Sequence, residues 1–140
     1  MSAPELTEKL AAAIHSNKFD VIMCNVANPD MVGHSGKMDA AMAAVEAVDV
    51  LLGAVALAVE EQNGEMLVTA DHGNVEQMSD ETSGQAHTAH TTNPVPLLFM
   101  GRDAGMTDGG SLRDIAPTML YLLGLPQPEE MTGRTLIKEV

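Results

Sequence analysis

Apolar residues recur along this chain in two rhythms. In the slower one they return every three or four positions. Leu6, Leu10, Ala13 and Ile14 mark a helix over residues 3–16, opened by Ser2 and Glu5 as a capping box with Pro4 in the first turn. The Ala-rich stretch 38–64 predicts a long second helix, stopped by Asn63-Gly64. Residues 113–125 predict a third, with Asp114 as a cap, Pro117 in the first turn and Gly124 near the stop. The faster rhythm consists of short, nearly continuous apolar runs. "FDVIMCNVA" (19–27), "EMLVTA" (65–70) and "VPLLFM" (95–100) are rich in β-formers and bounded by turn residues, so each predicts a buried strand. Cys24 is expected inside the first of them. The tail "PQPEEMTGRTLIKEV" reads as an irregular segment that returns to the core through Leu136 and Ile137. Strands alternating with helices predict an α/β fold, a parallel sheet with helices on both faces.

One connection breaks the pattern. From Asp71 to Pro94 no periodicity is sustained, and loops of that length in compact domains are often functional. This loop holds three of the five histidines. Ligands of open α/β sheets bind beyond the carboxyl ends of the strands. At such places the chain puts Asp30 and His34 ("NPDMVGHSG"), then Asp71 and His72 ("VTADHG"), then His87 and His90 ("AHTAHTT"). Mixed carboxylate and imidazole donors suit Mn²⁺, Zn²⁺ or Fe²⁺ better than Ca²⁺ or Mg²⁺. The competing reading is that both aspartates cap turns and the histidines bond to backbone. Gly73 is expected to let the backbone bend away from the metal, and the strand to end at or before Ala70. His15 stands apart, at the C-terminal end of a helix where an imidazolium suits the dipole.

Composition narrows the partners. The 140 residues carry 20 acidic and 7 basic side chains, a net charge of -13, which repels nucleic acid and anionic lipid. The 7 cations form no readable cluster for a phosphate. A single cysteine allows no disulfide within the chain and fits a reducing cytosol, so a cytoplasmic protein without membrane or nucleic-acid partners is expected. Ser35, Ser79, Ser83, Thr88, Thr91 and Thr92 lie near the candidate ligands, but no spacing singles out a nucleophile.

"CNVANPDMVGHSG", "VTADHGNVEQM", "HTAHTTNPVPLL", "LRDIAPTMLYLLGL" and "EMTGRTLI" together resemble, in order, the C-terminal part of the cofactor-independent (2,3-bisphosphoglycerate-independent) phosphoglycerate mutases, of the alkaline-phosphatase-like superfamily. The resemblance covers essentially the whole chain. It implies a partial alkaline-phosphatase-like α/β sheet and an isomerase that interconverts 3-phosphoglycerate and 2-phosphoglycerate in glycolysis. In that family two Mn²⁺ ions serve a phosphoserine intermediate. Carried over by position, Asp30, His34 and His90 become ligands of one Mn²⁺, and Asp71 and His72 part of the shell of the other. His87 becomes an outer-shell or substrate-side group.

The family chain is several times longer. Its nucleophilic serine, one further aspartate of the second metal site and the inserted substrate domain have no counterpart here. The resemblance therefore implies that residues 1–140 are the C-terminal segment of the phosphatase domain, with at most one complete metal site and no mutase activity alone. Two other readings stay open. One is a non-catalytic metal-binding remnant, or a piece that complements a separate N-terminal fragment. The other is a metal-dependent phosphohydrolase that uses water in place of serine.

Overall fold

The computed structural model describes residues 2–80 and 82–138, in two compact units, Met1–Gly101 and Arg102–Val140. In the first unit, helix α1 (Ala3–His15) starts where the Ser2 hydroxyl accepts the Glu5 N–H at 3.5 Å. The Glu5 carboxylate turns instead to Lys9, 2.7 Å away, so the capping box is half made. A short helix α2 (Asn28–Gly33) begins at the Asn28-Pro29 step, with proline in its first turn. Helix α3 (Met38–Glu61) buries Leu51, Val55 and Val59 against Leu6, Leu10 and Ile14 of α1. It closes where Asn63 enters the left-handed region at φ 53° and the Gly64 N–H reaches the Val59 carbonyl at 2.9 Å. His15 pairs with Glu61 at 2.9 Å, joining the ends of the two helices. By length and composition alone α3 could cross a membrane, but here one face forms the core of the unit.

Strand β1 (Met66–Thr69) pairs with β2 (Leu97–Met100), Met66 opposite Met100 and Thr69 opposite Leu97. The α/β class is therefore present, but this pair is antiparallel where a parallel sheet was expected. A parallel pair needs a crossover, usually helical, and the described residues between β1 and β2 form no helix. It folds back on itself through isolated bridges at Gly73–Thr91 and Ser79–Ala86.

The first expected strand does not form. Residues 21–27 belong to no strand, and nothing among the described residues pairs with them. Phe19 is 61% and Met23 84% exposed, and Cys24 is exposed rather than buried. An extended run becomes a strand only when a neighbour takes up its backbone hydrogen bonds. Only the end of the run, at Val26, packs against the α3 core.

In the second unit, β3 (Gly105–Met106) pairs antiparallel with β4 (Ile137–Lys138). A 3₁₀ turn at Leu112–Asp114 leads into α4 (Ile115–Leu122). Ser111 caps the 3₁₀ turn with Asp114 as its reciprocal partner, and Asp114 stands at the N-cap position of α4 as expected, though its side chain makes no capping bond to that helix. The Asp114 carboxylate accepts the Ser111 N–H at 2.7 Å and the Arg134 N–H at 2.9 Å. The buried Thr118 hydroxyl donates to the Asp114 carbonyl at 2.7 Å and accepts the Leu136 N–H at 3.0 Å. Leu136 and Ile137 are thus buried as read, with Ile137 in a short strand and not an irregular tail.

Candidate metal centre

Asp30 lies in the first turn of α2 and His34 directly follows the helix, four residues on, so both side chains leave the same face. His90 arrives from the long loop. The Asp30 Oδ1 atom is 2.9 Å from His90 Nε2 and 3.3 Å from His34 Nε2, and the two Nε2 atoms are 3.1 Å apart. All three ligand atoms lie within 4.8 Å of one another. They are about half exposed, so an ion can reach them from solvent.

The surroundings prepare these atoms to ligate. His34 Nδ1 lies 2.7 Å from the Thr88 carbonyl, which can only accept, so Nδ1 carries the proton and Nε2 presents its lone pair. Two imidazole nitrogens and one carboxylate oxygen meeting in this way match the donor set that divalent transition metals take. Burial raises the Asp30 carboxyl, but the Asn74 amide and, when they are protonated at low pH, the rings of His34, His90 and His72 outweigh it and hold the group below its ordinary 3.8. Asp30 therefore stays an anion.

Asp71 and His72 follow β1, whose last residue is Thr69, so the strand ends before Ala70 as expected. The His72 ring stacks on His90, centroids 3.7 Å apart and planes at 22°. His72 Nε2 is 3.6 Å from Asp71 Oδ2, and the Asp71 side chain is 70% exposed. The pair thus borders the cluster through ring stacking without adding a ligand atom to it. The chain bends at Asp71-His72, and Gly73 has no positive φ, so the bend does not call on glycine's left-handed freedom. It provides room: a Cβ there would run into Thr91 Oγ1 and the Glu76 carboxylate. His87 stands outside the cluster. Its N–H bonds to the Met78 carbonyl at 3.0 Å, and its Nε2 is buried with no partner among the described residues.

Sequence reasoning passed over the residues that hold the ligand loops. Asn74 is buried and donates from Nδ2 to Asp30 Oδ1 at 2.7 Å. Glu76 accepts the Asn74 N–H at 2.6 Å, the Asn93 amide at 3.1 Å and the Thr91 hydroxyl. The Thr91 bond, foremost, with the other donors holds Glu76 below its ordinary 4.5 against an opposing effect of burial. These are ordinary loop polar residues with no periodicity. The only signal in the sequence was that Asn74 follows "ADHG" directly.

The chain is 60% identical over 138 residues to a 2,3-bisphosphoglycerate-independent phosphoglycerate mutase of Shewanella pealeana, and 62% identical over 138 residues to one of Cellvibrio japonicus. These alignments take in 99% and 98% of this chain but 27% of each relative, so the chain spans about a quarter of their length. A phosphoglycerate mutase of Leishmania mexicana, crystallised at low cobalt concentration, superposes with a TM-score of 0.89 at 33% identity, over 99% of this chain and 28% of that one. Residues 1–127 match the metalloenzyme superfamily, and the chain belongs to it.

Proposed function

We propose that these residues form the metal-holding part of a 2,3-bisphosphoglycerate-independent phosphoglycerate mutase, which interconverts 3-phosphoglycerate and 2-phosphoglycerate by phosphoryl transfer in glycolysis. The observation that carries this reading is the meeting of Asp30 Oδ1, His34 Nε2 and His90 Nε2 in a chain so similar to those mutases. Asp30, His34 and His90 would hold one ion, for which the donor set favours Mn²⁺ among the hard cations. Asp71 and His72 would hold part of a second site that needs a ligand from elsewhere. Bound ions would supply charge neutralisation at the phosphoryl oxygens.

The chain's own residues do the holding. Thr88 fixes the His34 tautomer, His72 braces the His90 ring by stacking, and Asn74 orients the Asp30 carboxylate. Residues 1–140 alone are proposed to lack mutase turnover, because the serine nucleophile and substrate domain of that family have no counterpart among them.

Calorimetric titration of the chain with Mn²⁺ tests the reading. One ion per chain is expected, lost in His90→Ala and kept in His87→Ala. No binding by the unaltered chain would overturn it. In parallel, phosphoglycerate turnover by the purified chain alone would refute the inactivity.

A further inference from the structure

Asn74 and Glu76 build a clamp between the two loops that carry the candidate ligands. Asn74 lies on the loop leaving β1, buried beside α2, and its amide donates to the oxygen of Asp30 on which His34 and His90 converge. Its place is tight, because a Cβ on Gly33 of α2 would occupy the position of its side-chain oxygen. Two residues later, Glu76 reaches back to the Asn74 N–H with one oxygen. With the other it accepts from Thr91 and Asn93, on the loop just past His90. The Thr91 N–H bonds to the Gly73 carbonyl at 2.9 Å, closing the ring. Asp30, His72 and His90 come from three separate segments, and this clamp joins all three.

We propose that Asn74 and Glu76 are positioning residues of the metal site: Asn74 sets the Asp30 oxygen, and Glu76 sets the His90 loop against the loop after His72. The inference rests on the metal site proposed above. A carboxylate suits position 76. The Asn74 N–H can only donate, the Asn93 amide and the Thr91 hydroxyl donate in this arrangement, and Glu76 offers two accepting oxygens with no hydrogen of its own. In Glu76→Gln one oxygen becomes an amide that faces a donor, at nearly unchanged volume. The clamp then loosens without losing its shape.

The test uses Co²⁺ as the probe, titrated into the chain and followed by its visible absorption, which reports coordination geometry as well as affinity. Asn74→Ala and Glu76→Gln are expected to weaken Co²⁺ binding about 10- to 100-fold, the range for groups that orient ligands. Both should also alter the band shape at saturation, which a loss of stability alone does not do. Thr91→Val removes one donor to Glu76 and is expected to lie between them and the unaltered chain. It serves in place of Glu76→Gln if that chain fails to fold. Unchanged affinity and spectrum in Asn74→Ala and Thr91→Val overturn the clamp. If the unaltered chain takes up no Co²⁺, the metal site itself fails and the clamp with it, a different result from a site that binds well without its clamp.

Discussion

Two apolar runs, residues 19–27 and β1, look alike in sequence and both lead to an aspartate and a histidine. The first finds no strand partner among the described residues, and its side chains are largely exposed. The second is paired over its full length with β2. Yet the unpaired run precedes the better-formed ligand pair. Asp30 and His34 converge with His90, whereas Asp71 and His72, beyond the paired strand, stay outside the cluster. The reason is range. One turn of α2 places Asp30 and His34 on one face whatever happens upstream, and Asn74 and the Thr88 carbonyl complete the alignment. Asp71 and His72 are neighbours on a strand exit, where successive side chains diverge, so they depend on groups from elsewhere to complete a shell.

The contrast can be broken most directly at the ligands. Asp30→Ala should abolish single-ion binding, while Asp71→Ala should change it by less than about tenfold, the low end for groups outside the ligand set. Calorimetry with Mn²⁺ on both variants checks this, and equal losses would erase the distinction. Next in size is the shared core. Val26, at the end of the unpaired run, and Met66, at the start of β1, both pack on the α3 cluster. Leu51→Ala in that cluster should cost about 2–5 kcal/mol in urea unfolding.

A charge placed in each run sharpens the comparison further. Val68 lines the groove between β1 and α3, and Val68→Lys should cost about 1–3 kcal/mol. Val21 is exposed in the unpaired run, and Val21→Lys should stay within about 0.5 kcal/mol. Similar values for the two would mean that residues 19–27 are packed in solution.

The smallest effect concerns pH. Glu76 is held below its ordinary 4.5 in the folded chain by Thr91 and its other donors. A folded value below the unfolded one gives stability that is fully present above about 4.5 and is lost as pH falls through the folded value. The gap in melting temperature between the unaltered chain and Glu76→Gln should therefore be steady near neutral pH and narrow on acidification. A gap that widens in acid would reverse the assigned sign.

Three of the helices, α1, α3 and α4, were legible because each is encoded locally, whereas the short α2 under Asp30 was not read from the sequence. Ser2 caps α1, Asn63-Gly64 ends α3, and the apolar spacing between them needs no distant partner. The candidate ligands were legible because histidines are few and those paired with an aspartate stand where strand-like runs stop. What was not legible depended on contacts distant in sequence. Whether residues 19–27 become a strand is decided by a neighbour, and the antiparallel sense of β1 and β2 by the course of the loop between them. Asn74 and Glu76 are unremarkable in sequence, and their roles exist only because Asp30, Thr91 and Asn93 are brought within bonding reach. The sequence by itself determined the three periodic helices, the extended runs and which residues can ligate a metal, since propensity, periodicity and side-chain chemistry act over a few neighbouring positions. Tertiary structure alone decided which extended run is paired, which two histidines share an oxygen of Asp30 and what holds them there, because hydrogen bonds between segments form only when folding brings both ends together.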